Sequence, residues 1–169
     1  MHKSKIFIIA IIIFISSCSA MGPVYQELNN HPENMALVYV YNPMKGAWKF
    51  AEPNFFYIND QQIFRFKSMG YSYFYALPGE YLFSRKLSTV FIPTGERGRT
   101  MFTFEKGKIY YIRYTEEHAR SEVWSTGTMA GASNIYNPKF ELIPPEKAQH
   151  EISNTKYLSV RTNELSPAH

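Results

Sequence analysis

From Ala36 to Pro144 the chain is a series of short apolar and aromatic runs, each closed by a turn signal, a pattern that leaves little room for helix. "ALVYVY" (Ala36 to Tyr41) is apolar at every position and ends at Asn42-Pro43, as a strand covered on both faces would be. "FFYIND", starting at Phe55, meets "QQIFRF" across Asn59-Asp60, a dipeptide suited to a two-residue hairpin. "YSYFYAL" and "EYLFSRKL" are separated by Pro78-Gly79, where proline presets the first turn angle and glycine accepts positive φ. "TMFTFE" and "KIYYIRYT" form a further pair around Lys106-Gly107, and "KFELIP" (Lys139 to Pro144) reads as the last strand. With turn signals about every 8 to 15 residues, the expectation is a mainly β fold, an antiparallel β-sandwich of about seven to eight short strands. Aromatic residues at 17% suit strands that bury rings on at least one face. Only "PPEKAQHEIS" is helical in character, with Pro145 suited to a first turn, Glu146 near the N-terminus, and Ala148 and Ile152 on one face.

The segment before the first strand has a different logic. A basic start (His2, Lys3, Lys5), an unbroken apolar run from Ile6 to Ile15 and two small residues, Ser16 and Ser17, have the layout of a secretory signal peptide. Ten apolar residues in a helix cover about 15 Å, half of a bilayer core of about 30 Å, so the run is too short for a comfortable membrane anchor. The single cysteine of the chain, Cys18, follows directly. Ile15-Ser16-Ser17-Cys18 resembles the bacterial lipobox, and that resemblance implies a diacylglycerol on the Cys18 sulfur, cleavage between Ser17 and Cys18, and acylation of the new amino terminus by a fatty acid such as palmitate. Each buried methylene stabilises membrane attachment by about 0.8 kcal/mol, and two or three acyl chains hold stably where one holds reversibly. Ser19 stands where the enterobacterial inner-membrane retention signal has aspartate, which points to the outer membrane.

Four regions follow: a lipoprotein signal peptide at 1–17, a lipidated tether at 18–34, a β-sandwich domain with its closing helix at 35–153, and a loose polar tail at 154–169. About 150 residues remain after cleavage, enough for one domain to bury most of its unfolded surface without a disulfide. Lys3 and Lys5 leave with the leader and the formal charge falls from +4 to +2, so the basic balance is no argument for a nucleic-acid partner.

"ALVYVYNP", "YSYFYALPGEYLFS", "GKIYYIRY" and "FELIPPEKAQHEI" occur in the order and spacing of the bacterial envelope family catalogued as domain of unknown function 2846, which this chain resembles from Ala36 to Ile152. The resemblance implies a small envelope lipoprotein with this strand order, and it transfers no catalytic residue. "IPTGERGRT" and "EEHARSEVWSTGTMAGASN" are longer than the family's usual loops.

Among residues that carry chemistry, Arg97 and Arg99 flank Gly98 in a hairpin-like loop, so that two guanidinium groups are available to an anionic sugar, phosphate or headgroup. Trp124 and Tyr136 lie in the long loop of 117–137 as aromatic anchors for a partner. These four are the candidate binding residues beside the lipidation site, Cys18. Glu116, Glu117 and His118 have the composition of an acid-base site, but a solvated turn has the same composition. His31, His118 and His150 stand alone, without metal-ligand spacing, and no cofactor is implied. The expectation is therefore a non-catalytic binding or structural module, held to a membrane by its N-terminal lipid and facing an envelope protein or glycan partner. A docking lipoprotein of a secretion apparatus is the alternative within that class, and an envelope hydrolase using Glu116 to His118 is the alternative outside it.

Overall fold

β1 (Ala36–Asn42) is buried at every residue, and both of its faces are covered by different chemistry. The computed structural model describes residues 20–28, 30–45, 54–89, 92–128, 130–162 and 164–167, with some strand side chains left out. Within these lie β2 (Asn54–Ile58), β3 (Gln61–Arg65), β4 (Gly70–Ala76), β5 (Gly79–Thr89), β6 (Ile92–Phe104), β7 (Ile109–Ser125), β8 (Ala130–Leu142), α1 (Pro145–Ile152), β9 (Lys156–Tyr157) and β10 (Glu164–Leu165). One sheet runs β10-β4-β1-β7-β8, with β9 also on β4, and the other runs β3-β2-β5-β6. The sandwich architecture expected from the turn-punctuated runs is present, with a parallel β1–β7 pairing at the centre of the larger sheet.

The two faces of β1 explain the layering. Ala36, Val38 and Val40 face the interior between the sheets, where the largest rings are phenylalanines. Phe56 lies at the middle of that layer, with ring centroids 5.0 Å from Phe64 and Phe83, 5.4 Å from Phe66 and 5.6 Å from Phe140. Leu37, Tyr39 and Tyr41 face the other way, into a second cluster with Tyr71, Tyr111, Ala148 and Ile152. Tyrosine suits this outer layer because a ring can be buried while its hydroxyl reaches a partner at the rim. Tyr41 donates to Glu151 at 2.8 Å and Tyr111 to Glu27 at 3.1 Å. Tyr39 stacks on Tyr111 at 5.2 Å, and its hydroxyl accepts the Leu28 amide at 2.9 Å. α1, amphipathic through Ala148 and Ile152, supplies one part of this cover, and Tyr25 and Leu28 supply the other.

Turn chemistry is as expected, but two turns do a different job. Asn59 and Asp60 both take positive φ (48° and 62°), which joins β2 to β3 as a tight hairpin. Pro78-Gly79 and Lys106-Gly107, by contrast, do not close hairpins. The first carries the chain from β4 in one sheet to β5 in the other, and the second returns it from β6 to β7. Gly79, at φ 147°, also lies under the chain terminus, where an added Cβ would come 2.6 Å from the Pro167 ring.

Three segments depart from the sequence expectations. The stretches taken as long loops are strands: β6 spans "IPTGERGRT", and β7 with β8 forms a ribbon through 117–137, so these strands reach 13 to 17 residues. Residues 154–167 are not loose, since β9 and β10 pair with β4 and Leu158, Leu165 and Thr155 are buried. The tether is likewise docked over most of its length. The Ala20 amide donates to the Ser68 carbonyl, Val24 bridges to Lys156, and Tyr25 exchanges contacts with Thr155 and the rings of Tyr39 and Tyr71. Residues 1–19, including the signal peptide and Cys18, lie outside the described residues.

Phe56→Ala is expected to destabilise the protein by about 3–5 kcal/mol, because four ring neighbours cannot close over the space. Met21→Ala, at a side chain 68% exposed, should leave the urea midpoint within about 0.5 kcal/mol of wild type. Burial also pushes the hydroxyls of Tyr39 and Tyr81 up to about 12. The unfolded chain ionises these groups near pH 10 while the fold resists, so their contribution to stability is constant below that pH and is lost as pH rises from about 10 to 12. In a spectrophotometric titration, a group of tyrosines should ionise only together with loss of the β circular-dichroism signal.

Candidate binding surfaces

The inward rows of three strands each carry a polar residue at one end of an apolar series. They read Asn54-Phe56-Ile58 on β2, Tyr81-Phe83-Arg85 on β5 and Ile112-Tyr114-Glu116 on β7. Alternation therefore sends Arg85 and Glu116 into the space between the sheets, where their side chains are 7% and 4% exposed and 3.0 Å apart. The remaining valences are filled. Arg85 Nε donates to Asn54 Oδ1 at 2.7 Å, and Glu116 Oε1 accepts Tyr114 Oη at 2.6 Å and Asn54 Nδ2 at 3.1 Å. Burial, followed by the nearby Glu116 carboxylate as a weaker influence against Arg85, holds the Tyr114 hydroxyl well above its ordinary range. This set clamps one sheet to the other and engages Glu116 through Oε1.

Glu116 is thus separated from the two residues that follow it. Glu117 is exposed and pairs with Lys139 at 3.1 Å. His118 is exposed on the ribbon, with Nε2 3.2 Å from Ser121 Oγ and its ring 5.6 Å from that of Tyr136. The "EEH" triplet does not converge on one pocket. Among the described residues, no group of three His, Cys, Asp or Glu side chains is placed to hold a metal ion.

Of the four predicted binding residues, none lies in a loop. Arg97 sits in β6 opposite Arg85, and its side chain is outside the described ones. Gly98 takes φ 67° at a bulge and approaches β8 so closely that a Cβ would lie 2.5 Å from the Pro138 ring. Arg99 is exposed just beyond, and its charge, after that of Lys86, holds the Asp60 carboxyl below its ordinary range. Tyr136 stands opposite His118 near the root of the ribbon, while the Trp124 backbone pairs with Gly131 near the tip. Six strand positions separate the two aromatic sites, about 20 Å, so they do not form one anchor. The Trp124 side chain is outside the described residues, and its neighbour Val123 is 83% exposed.

A further surface had no signal in the sequence analysis. Where residues 20–22 cross the end of β3, an open cleft of about 370 Å³ is lined by Met21, Gly22, Arg65, Lys67, Tyr157, Leu158 and Ser159. Its walls carry two cations and no carboxylate. Lys156 and Arg161 bracket the wall segment in sequence and are exposed. The cations come from two distant parts of the chain, 65–67 and 156–161, which is why no motif announced them.

The family model of a protein of unknown function, DUF2846, matches residues 32–129. The chain belongs to this family. The DUF2846 match takes in β1 to β7, with the whole Arg85–Glu116 clamp and both cleft cations Arg65 and Lys67. β8, α1, β9 and β10 lie beyond it, including the "FELIPPEKAQHEI" segment on which the resemblance also drew. No curated protein and no solved structure matches the chain. No helix among the described residues is long and apolar enough to cross a membrane.

Removing one member of the clamp leaves a buried charge. Arg85→Met is expected to destabilise the fold by about 3–5 kcal/mol in urea denaturation, whereas Arg85→Met with Glu116→Leu should cost much less than the two single changes added. Additive losses would mean that the pair is not coupled.

Proposed function

We propose that this DUF2846 protein is a lipid-anchored lipoprotein of the bacterial envelope that works as a non-catalytic binding module. In this account the leader of residues 1–17 is removed and Cys18 carries diacylglycerol and a fatty acid. The sandwich is held at the outer membrane, facing the periplasm. The observation that carries the proposal is the burial of Ala20, 4% exposed and bonded to Ser68. Ala20, two residues after the lipobox cysteine, is thus already part of the folded domain, and the apolar run of 6–15 precedes it in sequence. Tethering turns a weak contact into a local, high-concentration encounter, which suits a module whose cleft of about 370 Å³ is open to solvent.

The β7–β8 ribbon is the partner-facing element. It exposes Val123 and carries Trp124 near its tip. An envelope protein or glycan is the partner class, with the ribbon presented away from the buried clamp at its root.

Replacing Cys18 with alanine tests the anchor. Wild type should fractionate with membranes and incorporate labelled palmitate, and Cys18→Ala should lose both. A Cys18→Ala protein that carries label, or an unlabelled wild type, would refute lipidation. Crosslinking in intact envelopes tests the ribbon: Trp124→Ala with Val123→Ser should lose the partner bands of wild type, and unchanged bands would remove the ribbon from consideration.

A further inference from the structure

We infer that the cleft lined by Arg65 and Lys67 is the membrane-facing surface of the domain and binds the phosphate of anionic lipid headgroups. The inference rests on the lipid anchor proposed above and adds the orientation of the domain and the lipid class it contacts.

Chain length makes the placement tight. Two residue steps from Ala20 to Cys18 span at most about 7 Å, so a lipid on Cys18 keeps Ala20 at the headgroup level. A free tether of residues 18–34 would have let the domain rise and turn, but residues 20–28 are docked across the sheet. The surface beside Ala20 is therefore the surface that meets the bilayer. The chain next passes through Met21 and Gly22, which line the cleft itself.

Charge and polarity agree with that orientation. Arg65 and Lys67 enter the cleft without a carboxylate among the lining residues, and neither makes an ion pair with a described residue. Lys156 and Arg161 are exposed on the adjoining segment. Lys45, also exposed, follows Met44, whose carbonyl accepts Ser68 Oγ beside the Ala20 contact. Five cations thus gather at one end of a domain whose mature formal charge is only +2. On the same sheet edge, Glu164 pairs with Tyr75 at the opposite end of β4 from Gly70 and Lys156. Met21, 68% exposed, and Val24, 53% exposed, supply apolar side chains beside these cations. Cations ringed by apolar side chains are what an anionic interface selects, and each basic residue near such a surface strengthens attachment roughly fivefold. Arginine adds bidentate geometry toward phosphate oxygens.

The test uses the full lipidated protein with Ser159→Cys, a cleft position whose thiol is the one left free when Cys18 is lipidated. The protein is reconstituted into vesicles of phosphatidylcholine, with or without phosphatidylglycerol, and labelled with an uncharged polyethylene-glycol maleimide. Phosphatidylglycerol should slow labelling at position 159 several-fold. The slowing should disappear in Arg65→Gln/Lys67→Gln, and it should be absent for Ser125→Cys at the ribbon tip. Equal rates in the two vesicle types, or slowing that survives the double substitution, would overturn the inference. The intact mass reports lipidation separately. A protein without lipid would refute the anchor alone, and flotation of that protein with the same vesicles then decides the cleft: wild type should float with phosphatidylglycerol vesicles, and failure to float would overturn it.

Discussion

A strand buried on both faces needs two covers, and β1 obtains them from unrelated parts of the chain. The inner cover is the second sheet, through the phenylalanine layer centred on Phe56. The outer cover is α1 together with Tyr25 and Leu28, through a layer of tyrosines. Leu37, Tyr39 and Tyr41 would otherwise be left on an open sheet face, a patch of the kind that drives association. The requirement to bury them fixes where Tyr25, Leu28 and α1 lie on the outer face of the sheet.

That constraint changes what lipidation would do. A free tether would give reach without orientation, whereas a docked strap gives orientation with almost no reach. Under the proposed anchor the cleft would face headgroups and the ribbon would face the compartment. Holding the domain in one attitude also raises the effective concentration of the ribbon toward any partner fixed in the same envelope. The Arg85–Glu116 clamp contributes rigidity at the root of the ribbon, where β7 leaves the core.

Legibility in the sequence followed locality. Asn59-Asp60 was readable because a hairpin turn is decided by its own two residues and the strands beside them. Pro78-Gly79 and Lys106-Gly107 offered the same local chemistry, yet which sheet the next strand joins depends on contacts far along the chain. The ribbon at 117–137 read as loop because its sequence, rich in charged and small polar residues, has no apolar alternation to detect. The tail read as loose because Leu158 and Leu165 are single apolar residues among polar ones, each finding its place only against β4. Arg85 and Glu116 did leave a signal, since each continues the inward phase of an aromatic row, and a charge in that phase marks a buried pair. The cleft left none, because Met21, Arg65, Lys67 and Ser159 meet only after folding.

The central claim is that residues 20–28 are part of the folded domain. Backbone hydrogen exchange of the mature protein measures this directly. The amides of Ala20, Tyr25 and Tyr157, bonded to Ser68, Thr155 and Pro23 respectively, should be protected to a degree comparable with β4. Exchange of the Ala20 and Tyr25 amides at the rate of an unstructured peptide, with β4 protected, would contradict it and return residues 18–34 to the status of a free tether.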